Sequence, residues 1–169
     1  TKRIFLNGVE VASAPDQGYV PNQVRDLHIG GGGDMGTQYF FDGSIDDGAL
    51  WDIALEEGQI LDIMDLGAAS VPDNMVAHWK LDEPDGTTGA GSIKDSSGGG
   101  FDGNPPRLPL APGEPGANDK TGTSIAFSNA AIHVPYNAAL NPETFTVTLW
   151  TKPEAADLAK LAYRSRIFD

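Results

Sequence analysis

The chain has 169 residues, with 24 acidic side chains against 11 basic ones, a formal net charge of −13 and no cysteine. That length suits one well-buried core. The missing cysteines exclude disulfides, thiolate metal sites and a cysteine nucleophile, and without a basic footprint a nucleic-acid partner is not expected. No apolar run approaches the ~20 residues of a bilayer span, and an acidic surface repels anionic lipid, so no membrane insertion is expected.

Glycine and proline supply 21 and 12 residues, about a fifth of the chain, a share that suits many short strands and tight turns. The chain opens on Thr1-Lys2-Arg3 directly inside a strand-like run. That start lacks a signal peptide and suggests a processed or excised piece. Residues 3–12 place apolar runs on both sides of Asn7-Gly8, a strong hairpin signal because a type I′ turn needs positive φ at both central positions. Arg25 to Ile29 is predicted as a short strand closed by Gly30 to Gly33. Tyr39 to Phe41 enters another, resuming from Ser44 through Trp51. The Gly30–Gly33 run before Asp34 occurs once and reads as a turn.

Over 54–66 the period changes. Leu55, Ile60, Ile63, Met64 and Leu66 recur at helical spacing opposite Glu56, Glu57, Asp62 and Asp65, which predicts a short amphipathic helix ended by Gly67. Residues 67–74 read as a linker and the candidate domain boundary. Beyond it, strands are predicted over Met75–Leu81, Ser124–Phe127, Ala131–Val134 and Thr144–Lys152, with a loop-rich stretch over 84–123. Ala159 to Phe168 reads as one more strand or a helical turn.

The stretch VAHWKLDE, then DSSGGGFDG, then SIAFSNAAIHVP and TFTVTLW resembles the first half of a laminin G-like, concanavalin A-like domain. RIFLNGVEV through GSIDDGALWDIALEEGQI resembles the second half of that family. The halves stand in inverted order: 1–70 the second half with its trailing helix, 71–169 the first. They pack as one permuted domain or with neighbouring chains. The resemblance implies an all-β antiparallel jelly-roll sandwich with one short helix near 54–66. The family's central strands, which come between these halves, are missing, so unpaired strand edges are expected.

By resemblance, a structural Ca²⁺ ion would lie between the first strand, its loop and the last strand. That points to Asp46, Asp82, Glu83 and Asp95, with Asp47 and Asp102 weaker. Adjacent Asp46 and Asp47 face opposite ways on a strand, so one of them at most is a direct ligand. The plainer reading makes Asp95 the start of an Asx-turn. His28, His78 and His133 sit singly in strand-like runs and no G-x-S-x-G elbow occurs, so no catalytic residue is assigned and no enzyme is expected.

Exposed aromatics with a few polar groups suit sugar binding. The candidates are Trp51, Trp79, Trp150, Tyr39, Tyr136 and Tyr163. Trp51 and Trp79 read as core, while Trp150 and Tyr136 are the ligand-binding choices. The loop over 104–119 is a candidate recognition rim or a plain connector.

The leading expectation is a non-catalytic module of a bacterial extracellular or cell-surface protein. It would bind carbohydrate or a surface protein and hold Ca²⁺. The competing expectation is a homo-oligomeric filament or other adhesive assembly in which neighbouring chains exchange strands, or a piece of a tandem multidomain parent. A third is an accessory piece of a polysaccharide-degrading enzyme; the paired acidic residues of that fold's glycosidases are absent from this sequence.

Overall fold

A computed structural model describes residues 1–16, 18, 20–32, 40–84, 86–105 and 111–154. Tyr39, Tyr163, the 159–168 segment, Gly33 and Asp34 lie outside the described residues. In chain order the elements are β1 (Lys2–Leu6), β2 (Val9–Ala14), β3 (Leu27–Ile29), β4 (Gly43–Trp51), α1 (Glu57–Leu66), β5 (Met75–Trp79), β6 (Ala111–Pro115), β7 (Thr123–Phe127), β8 (Ile132–Val134) and β9 (Thr146–Pro153). Every strand ladder is antiparallel.

β4 organises the larger sheet. Along one edge it pairs with β9 from Gly43↔Pro153 to Trp51↔Thr146. Its other edge is shared, with β7 opposite Gly43 to Ile45 and β5 opposite Gly48 to Trp51. β6 then pairs with β7 as an edge strand. The strand from the segment before the linker is thus hydrogen-bonded on both sides to strands from the segment after it.

β4 is buried on both faces, which explains its run of apolar and small residues where a half-exposed strand would alternate. Ile45 and Leu50 enter the main core with Ala77, Trp79, Ile125 and Phe127. Ile29 of β3 and Ile132 and Val134 of β8 complete that core, so the short β3–β8 ladder covers the larger sheet as the second layer of a sandwich. Ala49 and Trp51 join a second cluster with Leu55, Ile63, Ala68 and Val71, where α1 packs. Buried indoles need an acceptor. Trp51 Nε1 donates to Val71 O and Trp79 Nε1 to Phe101 O, both at 2.8 Å.

α1 starts at Glu56, whose N–H donates to Gln59 Oε1 at 2.9 Å, the backward half of a capping box. It stops at Gly67, φ +84°, whose N–H returns to Ile63 O at 2.8 Å. The helix is a turn shorter at its start than the periodicity predicted, because 54–56 form the entry and cap.

The 84–123 stretch is not all loop. Ala111–Pro115 forms β6 despite two prolines. An edge strand tolerates residues without an N–H, and the ladder shifts register between Pro112 and Glu114.

The Asn7-Gly8 hairpin forms as predicted, with φ of +50° and +75° at the turn. Its tip rests on α1, Gly8 lying against the Leu61 and Met64 side chains. β1 and β2 otherwise form a sheet of two strands, with Ile4, Leu6, Val9 and Val11 exposed.

Candidate functional site

Acidic residues gather around an irregularity in β4. Asp46 stands opposite Trp150 and Ala49 opposite Thr148, so Asp47 and Gly48 together face one residue of β9. This is a β-bulge, and Asp47 takes φ +50° within it. The extra residue sends the adjacent carboxylates to different partners.

Asp46 is 2% exposed. Its Oδ2 accepts the Ala117 N–H at 2.8 Å, while Oδ1 is buried without a hydrogen-bond partner. Burial pushes this carboxyl above its ordinary range; bonds from Thr121 and Ala117 oppose the rise, and the charges of Asp47 and Asp82 add to it.

Asp82 reaches the same turn from the other side. It accepts the Thr123 N–H at 2.6 Å and lies hard against Gly122, where a Cβ would collide with the carboxylate. Gly116 N donates to Gly122 O at 3.1 Å, and a Cβ on Gly116 would stand 3.1 Å from Asp46 Oδ2. The 116–122 turn is therefore flanked by Asp46 at one end and Asp82 at the other. Leu81, fully buried, adopts φ +62°, a strained state for a bulky side chain. Beside it, Asp82 is exposed and Glu83 is buried.

Glu83 Oε1 accepts the Lys94 N–H at 2.8 Å, and Oε2 is buried with no partner. Burial pushes this carboxyl up against the lowering effect of the Lys94 bond. Asp95 is satisfied differently. Its Oδ1 accepts His78 N–H at 3.0 Å and Ser97 N–H at 2.9 Å, and its Oδ2 accepts Phe101 N–H at 3.0 Å. Burial opposes ionisation, but these bonds outweigh it and hold Asp95 below the carboxylate range. The Ser97 bond is the Asx-turn of the plainer reading. Asp102 accepts Lys94 Nζ at 2.7 Å and Asp95 N–H at 2.9 Å, and Lys94 chiefly holds it low.

Among the described residues, no three His, Asp or Glu side chains gather closely enough to hold a metal. The four expected ligands thus do not form one side-chain cluster. Asp46 and Asp82 share a turn, Glu83 keeps one oxygen free, and Asp95 is committed to three amides. The Asp46–Asp82 end offers the kind of oxygen donors a Ca²⁺ ion would use. A buried acceptor lacks a donor there, and Ca²⁺ takes six to eight oxygens that include backbone carbonyls and water. The sequence reading missed the contribution of Thr121 and the Gly116–Gly122 turn; the two glycines bracketing Asn118-Asp119 were the available signal.

Asp47 is used within the fold. Its Oδ1 lies 2.6 Å from His78 Nε2, and its Oδ2 accepts Ala68 N–H at 2.7 Å. His28 and His133 face each other across the β3–β8 ladder with ring centroids 4.3 Å apart.

The aromatic candidates separate clearly. Trp51 and Trp79 are fully buried. Trp150 is half-buried on β9. Tyr136, 38% exposed, lines a cleft of about 270 Å³ floored by Leu50 and Leu140 and bordered by Phe145 and Arg25. Trp150 is not among its lining residues. Phe145, the residue before β9, stands at this mouth with Val147 behind it and is 51% exposed. Of the candidate rim over 104–119, Asn104 bridges to His133 and 111–115 are β6, while 106–110 lie outside the described residues.

No helix among the described residues is long and apolar enough to cross a membrane. Residues 1–61 match the family model of Laminin_G_3, the concanavalin A-like lectin/glucanases superfamily. No curated protein and no solved structure was found to match the chain.

Proposed function

We propose that this chain, laminin G-like over residues 1–61 and built as an antiparallel concanavalin A-like sandwich, is a non-catalytic extracellular module that binds carbohydrate and is stabilised by Ca²⁺. We read its inverted segments as one permuted sandwich, since β4 hydrogen-bonds to β5, β7 and β9 of the same chain. The observation that carries the metal reading is Asp46, an acid 2% exposed whose Oδ1 has no donor. Leaving a buried carboxylate oxygen unpaired is costly, and a cation removes the cost. Asp46 and Asp82 would hold the ion, Glu83 Oε2 being a further donor nearby in sequence. Bound there, the ion would cross-link β4 to the strand-end after β5.

A binding role also agrees with how the buried titratable groups are spent. His78 is 2% exposed and bonded to Asp47 in the interior, out of a substrate's reach, and Asp95 is held by three backbone amides.

The test has two arms. Melting with Ca²⁺ against EDTA should show a rise in Tm, because a ligand of the native state stabilises by linkage; no rise rejects the ion. Glycan-array binding with Tyr136→Ala and Trp150→Ala variants tests the lectin reading; no glycan bound by the unmodified chain rejects it.

One observation favours a second reading, a structural subunit completed by strand exchange. β1 and β2 pair with no further strand among the described residues and carry four large apolar side chains 56–63% exposed. An open apolar edge is a template for another strand. A monomer in size-exclusion chromatography, with and without EDTA, removes this reading.

A further inference from the structure

Arg25 stands at the mouth of the Tyr136 cleft and is exposed. No ion pair or hydrogen bond engages its guanidinium among the described residues. The asparagines of the lining are partly used in holding the walls. Asn22 Oδ1 accepts the N–H groups of Val24 and Arg25, and its Nδ2 donates to Arg25 O at 2.5 Å. Asn137 Oδ1 accepts Ala139 N–H, and Asn141 Nδ2 donates to Asn137 O. These bonds hold the loops that form the walls. Among the described residues they leave the guanidinium and the Tyr136 phenol, with Asn137 Nδ2 and Asn141 Oδ1, as the polar groups available to a ligand.

Between them lies an apolar surface. Leu50 and Leu140 are buried at the floor, and Phe145 and Tyr136 are exposed at the sides. The volume of about 270 Å³ is close to the ~300 Å³ at which small-molecule sites begin, enough for one ring with the rest of a chain outside. Aromatic walls offer stacking to the apolar face of a sugar ring, and a guanidinium matches a carboxylate with two parallel N–H···O bonds.

We infer that this cleft is the glycan-binding site and that it takes a sugar bearing a carboxylate, a uronic acid residue, with Arg25 binding the carboxylate and Tyr136 and Phe145 flanking the ring. The inference rests on the lectin reading above and adds to it a location and a ligand class. The acidic surface narrows the class further. One guanidinium cannot offset a field of that sign along a densely charged polymer, so a short oligouronide binds better than a heavily sulfated chain.

The experiment is isothermal titration calorimetry of the full chain with digalacturonate, with methyl galactoside as neutral control and with a heparin-derived tetrasaccharide as sulfated control. Digalacturonate should bind more tightly than either, and more weakly as salt rises. Arg25→Gln, an exposed change whose fold is checked by circular dichroism, should lose digalacturonate affinity by about ten- to hundred-fold. Phe145→Ala should weaken binding of digalacturonate and of any neutral sugar. Equal affinity for neutral and acidic sugar, or an Arg25→Gln variant that binds digalacturonate as before, overturns the inference while the lectin reading stands. Tighter binding of the sulfated tetrasaccharide overturns the carboxylate assignment. If no sugar of any class binds the unmodified chain, the lectin reading falls and takes this site with it.

Discussion

Asp47 Oδ1 and His78 Nε2, 31 residues apart in the chain, meet at 2.6 Å in the interior. The pair ties β4 to β5, and the second Asp47 oxygen holds the Ala68 N–H at 2.7 Å. The contact joins the segments on either side of the linker through side chains as well as through the strand ladder. Replacing Asp47 by Ala should destabilise the fold by about 3 kcal/mol in urea denaturation, since it leaves two buried donors unsatisfied. Asp47→Asn should cost less, because an amide oxygen still accepts one of them. Equal stability of Asp47→Ala and the unmodified protein would show that the pair contributes nothing.

Asp46 sets a pH dependence of definite sign. Burial raises its folded value above the ordinary 3.8, and Glu83 is raised above 4.5 for the same reason. In the interval between ordinary and raised values the folded state binds more protons than the unfolded state. Stability without metal therefore falls as pH rises from about 4 through the raised values, and levels off above them. Ca²⁺ should reverse this loss, binding more tightly as the carboxyls deprotonate. The Asp46→Asn variant should show a shallower decline in EDTA and a smaller Ca²⁺-induced rise in Tm. Thermal melts across pH 4–8 with and without Ca²⁺ read both effects, and an identical pair of profiles for variant and parent would remove Asp46 from the site.

Asp95 carries the opposite sign. Its folded value lies below 3.8 because backbone N–H bonds outweigh burial. Its contribution is complete above that ordinary value and is lost as pH falls through the folded one. Asp95→Ala should cost about 2–4 kcal/mol at neutral pH, where the bonds from His78, Ser97 and Phe101 go unmade. The difference from the parent should shrink in strongly acidic buffer. Denaturant titrations at neutral and acid pH check the trend.

Gly122 has φ +75° and its Cα faces the Asp82 carboxylate. Alanine there pays the left-handed backbone penalty and displaces Asp82. Gly122→Ala should lose about 1–2 kcal/mol from the backbone alone, and should also weaken the Ca²⁺-dependent rise in Tm. A variant that is destabilised yet responds fully to Ca²⁺ would separate Asp82 from the ion.

Much of the local structure was readable residue by residue. Asn7-Gly8 made a hairpin because its turn chemistry needs no distant partner. Helix 57–66 followed from a 3.6-residue period and a glycine stop, and Trp51 and Trp79 were marked as core by their apolar strands. β6 was not legible, since a strand containing Pro112 and Pro115 forms only where an existing edge, β7, accepts it. The cleft was legible only through Tyr136. Arg25 and Phe145 lie 111 and 9 residues from it in sequence, and no local pattern links them.

Read alone, the sequence determined the antiparallel all-β class, a short helix before residue 67 and the laminin G-like character of its opening segment, because periodicity, turn residues and motif strings are local properties of the chain. Tertiary structure decided how that segment meets the rest of the chain. Only packing shows that β4 holds β9 on one edge and shares the other between β5 and β7. It also decided which carboxylates are satisfied: Asp95 is bound by three amides, whereas Asp46 keeps an unpaired oxygen. Burial and hydrogen-bond partners are set by residues distant in sequence, and identical aspartates differ in chemistry only once those neighbours are in place.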